Sequence, residues 1–303
     1  MLDLRGLLKD LSIGQTTAWR RIRVTPLRLQ TRADVEYLTL DDSTAETLIT
    51  IEESSGAGSV PEIRVRNQAK CRVFIPEGST LIGAKQNRVV NLSVMLAPES
   101  VTLIPVSCVE RGRWQFSAPH FTPSYFADSP LRAMMCAGTT ASLKSTGKVH
   151  IDQGHVWNHV DAMLGGAKAA SPTRANHAIH DAWHQDLADY EAQLTMPESA
   201  TGVAVEIDGI LETVELFENP STLRKLWPRL ARSYTLAALS RAPSLGKETD
   251  VKGLLERVLA SPNESYQPVG IGTTIRLTHA EAVGGALICD GRLIHLSLFA
   301  IGN

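Results

Sequence analysis

One internal repeat narrows the folds open to this chain more than any other feature. Gly202-Val-Ala-Val-Glu-Ile-Asp-Gly-Ile-Leu-Glu-Thr-Val-Glu-Leu-Phe217 aligns without gaps to Gly284-Gly-Ala-Leu-Ile-Cys-Asp-Gly-Arg-Leu-Ile-His-Leu-Ser-Leu-Phe299. Each copy reads as a strand, an Asp-Gly turn and a second strand, and Asp-Gly suits the tight turn whose twist matches its flanking strands. Two such hairpins can pair into one sheet with helices packed on it. The repeat speaks to fold; both Asp-Gly pairs are turn residues first.

The texture before residue 118 is also strand and turn. Ile22–Leu29, 47–52, 62–66 and 72–75 are short β-branched runs, and Ser54-Ser-Gly-Ala-Gly-Ser59 is a loop tip. Closely spaced short strands of this kind predict a sandwich or a partly closed barrel. Residues 1–11, with Leu4, Leu7, Leu8 and Leu11 at helical spacing, predict a short amphipathic helix. The stretch 119–147, with Pro119, Pro123 and Pro130, reads as irregular. Helices are expected at 155–164, 174–194, 221–239 (with Ser221 as N-cap) and 250–260. The class is therefore α+β: a β-rich part over 21–118, central helices, and a C-terminal sheet with two repeated hairpins over 150–303. Residues 1–303 are read as a single unit.

Composition excludes several classes. The chain has 303 residues, 43% hydrophobic and 20% charged, with a formal charge of −2, ordinary values for a globular protein. Its densest basic run, Trp19-Arg-Arg-Ile-Arg23, reads as a solvated strand face, so nucleic acid is not the expected partner. Cys71, Cys108, Cys136 and Cys289 are widely spaced with no CxxC, which suits a reducing compartment. Charges interrupt the N-terminus, no run is long enough to span a membrane, and a cytoplasmic protein is expected.

The chemistry concentrates between residues 83 and 114. Gly83-Ala-Lys-Gln-Asn-Arg-Val-Val-Asn91 and Pro105-Val-Ser-Cys-Val-Glu-Arg-Gly-Arg-Trp114 gather amides, a thiol, a carboxylate, arginines and an indole on strand-like segments. The two segments read as a hairpin around Ala97-Pro98-Glu99-Ser100. In the preferred register Val89 lies opposite Cys108 and Asn87 opposite Glu110, which puts Asn87, Asn91, Cys108 and Glu110 on one face. A three-residue turn shifts the pairing by one and joins Gln86 and Arg88 to Cys108 and Glu110 instead.

Cys108 and Glu110 are the candidate nucleophile and general base. The plain alternatives are a buried apolar thiol and a structural salt bridge to Arg88, Arg111 or Arg113. Arg88 and Arg113 carry the fork that suits phosphate or carboxylate. Trp114 either stacks on a base or plugs the barrel end, while Gln86 and Asn87 either orient a ligand or brace the turn after Gly83. Gln153 and Trp157, at a helix start, are further candidates for ligand contact. His155 and His159, and His177, His180 and His184, have helical spacing, but no HExxH is present; a solvated helix face is the reading and no metal is assigned. No phosphate loop, GxSxG or dinucleotide fingerprint occurs, and no cofactor is implied.

Gly83-Ala-Lys-Gln-Asn-Arg88, Pro105-Val-Ser-Cys-Val-Glu110 with Gly112-Arg-Trp114, Gln153 with Val156-Trp157, and Gly202…Asp208-Gly209…Phe217 with Leu226-Trp227 resemble the ARG and Rhodanese-Phosphatase-superfamily-associated protein domain. The resemblance runs from about Leu27 to Phe299 and is most specific at the QNR and CVExGRW motifs; the histidine cluster is not part of it. It implies handling of an ADP-ribose-like or other nucleotide-derived small molecule. The chain is then either an enzyme on such a substrate or a non-catalytic sensor or protein-interaction module.

Overall fold

Strands from the two ends of the chain build one sheet, and strands from its middle build two more. The computed structural model describes the whole chain except residues 1–3, 5, 7–8, 31–35, 57, 60, 247–248 and 302–303. Two units result: Met1–Val35 with Tyr190–Pro268 and Gly272–Asn303, and Glu36–Asp189 with Val269–Ile271. The strand-rich α+β class is as expected. Most of the helix expected over 1–11 lies outside the described residues, and Leu11 opens a strand instead.

In the first unit, β1 (Leu11–Ile13), β2 (Thr17–Trp19) and β3 (Ile22–Leu29) join a nine-stranded antiparallel sheet with strands from beyond residue 200. The hairpin β13 (Gly202–Ile207) and β14 (Ile210–Phe217) lies between β3 and the hairpin β17 (Ala282–Cys289) and β18 (Arg292–Ala300). β16 (Thr273–Thr278) and β15 (Asn263–Tyr266) finish that edge. Both turns take positive φ at both residues: 55° and 78° at Asp208 and Gly209, 51° and 73° at Asp290 and Gly291. That left-handed pair gives a two-residue turn the hand of the strands it joins. Leu27, Val214, Leu216, Leu296 and Leu298 form one apolar core with Leu254, Leu255 and Val258 of α7 (Val251–Ala260). The long α6 (Pro220–Ser240) begins at Asn219, whose side chain caps the Ser221 amide; the cap thus sits two residues before the expected Ser221.

The second unit holds the candidate residues. Its main sheet runs β12 (Phe121–Phe126), β8 (Ser79–Gly83), β9 (Arg88–Val90), β11 (Ser100–Cys108), β6 (Glu62–Asn67) and β5 (Ile49–Glu53). It curls into a half-barrel: Cα atoms of the outer strands β5 and β12 approach within 8 Å, yet no ladder joins them among the described residues. Ile51, Ile63, Val65, Leu81, Val90, Ile104 and Val106 fill the inside. A smaller sheet pairs β10 (Val94–Leu96), β7 (Arg72–Ile75) and β4 (Tyr37–Thr39). The short α1 (Ala45–Leu48) leads into β5, and α2 (Ser129–Thr146), α3 (Gln153–Gly166), α4 (His177–Ala182) and α5 (His184–Gln193) follow β12.

Three elements differ from expectation. First, 119–147 is not irregular: it holds β12 and the eighteen-residue α2. Asp128 caps the Leu131 amide, Pro130 sits in the first turn, and Gly147 ends the helix at φ 69°. Those end signals outweigh a body rich in Thr, Ser and Gly. Second, the helix expected over 174–194 breaks at Trp183, so His177 and His180 lie on α4 and His184 on α5 rather than on one face. Third, the segment expected to run as one hairpin strand into the turn at 97–100 is two strands. Residues 91–93 leave the ladder, and β10 pairs with β7 in the other sheet. The turn at 97–100 therefore does not set the register of β9 on β11. The pairing is Arg88 opposite Cys108 and Ser107 opposite Val89, the alternative register.

Candidate functional site

Register decides which side chains meet. With Arg88 opposite Cys108, both face into the half-barrel beside Val90 and Val106, and both have 0% exposure. Arg88 Nη1 donates to Cys108 Sγ at 2.8 Å and to Gln86 Oε1 at 2.9 Å. Its Nη2 lies 3.7 Å from Glu53 Oε2, from the end of β5. Arg88 Nε and Nη2 and Glu53 Oε2 have no hydrogen-bond partner among the described residues. A buried guanidinium normally satisfies its donors, and each one left over costs on the order of 1–3 kcal/mol.

Trp114 roofs this end of the barrel. Its ring centroid is 5.5 Å from Arg88 Cζ and 5.6 Å from Lys85 Nζ, within cation–π range. Lys85 Nζ is also 5.2 Å from the Phe116 ring. Trp114 and Phe116 are 46% and 54% exposed, so aromatic surface faces solvent directly above a buried cation.

A second set of bonds holds the two motifs together. Glu110 accepts from Arg113 Nε and Nη2 at 2.9 and 2.6 Å, from the Asn87 amide at 3.1 Å and from Thr173 Oγ1 at 2.7 Å. Burial by itself would raise its pKa, but the bonds from Arg113, Thr173 and Asn87 outweigh burial and hold it below the usual carboxylate range. Arg113 also donates to the carbonyls of Gly83, Ala84 and Gln115 and to Asn87 Oδ1. That fork staples the turn after β8, where Gly83 takes φ 117° and a Cβ would lie 2.5 Å from His120 O.

Gln153 adds a clamp from α3. Its Oε1 accepts from the Cys108 amide and its Nε2 donates to the Cys108 carbonyl, both at 2.8 Å. The side-chain amide thereby takes the place of a neighbouring strand at the end of β11. The thiol it positions is hard to ionise. Burial pushes Cys108 up to about 11, with Arg88 pulling the other way and Glu53 adding to the rise. Only about one part in ten thousand is then thiolate at neutral pH.

The candidate residues thus fall into two bonded sets, Gln86–Arg88–Cys108 and Asn87–Glu110–Arg113, with Gln153 and Trp114 bracketing them. Trp157 sits apart: its ring lies 5.3 Å from Arg111 Cζ, and Arg111 approaches Asp161 at 3.7 Å. Sequence reasoning missed Glu53 and Thr173, which reach the site from a distant strand and a loop. Neither stands in a motif, and only the curl of the sheet brings Glu53 to Arg88. Of the histidines, His177 Nδ1 lies 3.4 Å from Asn87 Nδ2, His180 packs 4.0 Å from the Tyr125 ring, and His159 Nε2 meets Asp128 Oδ1 at 2.8 Å. No group of three or more His, Cys, Asp or Glu side chains is placed to hold a metal ion among the described residues. None of the helices described is long and apolar enough to cross a membrane.

A family model, that of the ARG and Rhodanese-Phosphatase-superfamily-associated Protein domain (ARPP-1), matches residues 10–299. No curated protein and no solved structure matches the chain.

Proposed function

Because the chain belongs to the ARG and Rhodanese-Phosphatase-superfamily-associated Protein domain family, we propose that it binds a nucleotide-derived small molecule of the ADP-ribose type where Trp114 roofs Arg88. The association carried in the family's name supports a link to enzymes, and the site chemistry favours recognition over covalent catalysis. One observation carries the reading: a fully buried guanidinium keeps Nε and Nη2 without hydrogen-bond partners among the described residues, beneath a half-exposed indole. A phosphate offers oxygens in the geometry those two donors need. Trp114 and Phe116 offer stacking surface to a base, worth roughly 1–3 kcal/mol per stacked base. Glu53, the internal anion nearest Arg88, is the group that a ligand phosphate would displace.

Against catalysis stand two features of the candidate residues. Cys108 is held as a thiol, and Glu110 already accepts four hydrogen bonds. In this reading Glu110 and Arg113 shape the site, and Cys108 supplies an acceptor to Arg88.

The test is thermal stabilisation by ADP-ribose, NAD and AMP. A ligand at a hundred times its dissociation constant adds about 2.7 kcal/mol. The shift should vanish in Trp114→Ala, which alters an exposed residue, and persist in Cys108→Ser, which keeps an acceptor for Arg88. An unchanged shift in Trp114→Ala, or none with any nucleotide, would rule the site out.

A further inference from the structure

We infer that the open seam of the half-barrel is a second ligand site, taking a small organic cation with an apolar body, independent of the Arg88 end. The seam between β5 and β12 holds a cleft of about 400 Å³, within the size range of small-molecule sites. Its floor belongs to the barrel core: Leu40, Ile49, Ile51 and Phe121 line it and are 3–9% exposed. Its rim is polar, with Glu46, His120 and Thr122.

Charge selects the ligand. Among the described residues, Glu46 is the one carboxylate lining the cleft, and no lysine or arginine lines it. An apolar anion would meet the Glu46 charge with no lysine or arginine to offset it, whereas an ammonium pairs with that charge. Acceptors are also at hand for the remaining ammonium hydrogens. β5 pairs with β6 and β12 with β8, and neither has a second partner strand among the described residues. Each outer edge therefore turns backbone carbonyls toward the seam.

Geometry argues against a peptide strand as the occupant. Pro123 removes a donor from the β12 edge, and its ladder is irregular between Pro123 and Phe126. The two edges approach within 8 Å, whereas a strand seated between them needs two inter-strand spacings, about 9.6 Å. A compact ligand fits this opening and a regular ladder does not.

Hexylamine, hexanol and hexanoate, matched in apolar length, separate the possibilities in a calorimetric titration of the full chain. Hexylamine should bind most tightly and hexanoate least. Glu46→Gln should weaken hexylamine roughly fivefold, to the level of hexanol, an exposed ion pair being worth up to about that factor. Thr122→Trp, which fills the cleft from an exposed position, should abolish binding; Thr50→Trp closes the opposite rim should that variant fail to fold. Trp114→Ala should leave hexylamine binding unchanged, because the Arg88 end takes no part. Equal binding of hexanoate, full affinity in Glu46→Gln, or binding that survives the filled cleft would overturn the assignment.

Discussion

Glu110 accepts as many hydrogen bonds as a carboxylate can hold, and that has a measurable consequence. In Glu110→Gln the amide cannot receive both arms of the Arg113 fork, and a guanidinium only 10% exposed loses its counter-charge. Breaking a buried pair from one side costs about 3–5 kcal/mol, so chemical unfolding should show a loss of about 3 kcal/mol. A loss below 1 kcal/mol would mean that Glu110 is not a brace. Cys108 should behave as the opposite of a reactive nucleophile. With its pKa near 11 and no exposure, it should label with iodoacetamide at pH 7.5 far more slowly than the partly exposed Cys71, as followed by peptide mass spectrometry. Preferential labelling of Cys108 would reopen the catalytic reading.

At the scale of elements, α2 and α3 are tied through Asp128 and His159. Asp128 caps α2 and meets the His159 ring of α3 at 2.8 Å. Burial pushes His159 down but Asp128 pulls it further up, so its folded pKa lies above the ordinary 6.5. Burial pushes Asp128 up, but His159 and the capped amides bring it below the ordinary 3.8. The histidine contribution is complete below pH 6.5 and fades as pH rises through the raised folded value. The aspartate contribution is complete above pH 3.8 and fades as pH falls through the lowered one. The stability gap between wild type and His159→Gln should therefore be about 2 kcal/mol near pH 5.5 and shrink by pH 9. A gap that grows with pH would contradict the pairing.

These same elements show where the sequence was informative. Ile22–Leu29 and Arg72–Ile75 agree end for end with β3 and β7, because short runs of apolar and β-branched residues mark a strand locally. Both Asp-Gly turns were legible for the same reason. The α2 helix was not, since small and hydroxyl residues blur its apolar period, although Asp128, Pro130 and Gly147 already marked its ends. The QNR and CVExGRW motifs located the polar cluster, but the meeting of Arg88 with Cys108 depended on where β10 left the ladder. That departure is decided by pairing with β7, a contact no local pattern encodes.

At the scale of the whole chain, the first unit is discontinuous. β3 lies between β1 and β13, pairing Val24 with Val205 and Leu27 with Gly202, while Leu27 and Leu29 enter the core shared with α7. Deleting residues 1–30 would strip β13 of a partner and open that core. The truncated chain should sediment as aggregate, whereas a soluble monomer with a cooperative melt would show that β3 is dispensable.

Biosynthesis inherits a problem from this arrangement. β3 leaves the ribosome about 170 residues before β13, a delay of roughly ten to thirty seconds at ordinary translation rates. Throughout that interval the edge of β3 that will meet β13 waits unpaired, available to any neighbouring nascent chain. Arg23 and Arg28 add charge to the same segment. Charges that look like blemishes in a central strand would disfavour stray pairing while the polypeptide is still being made.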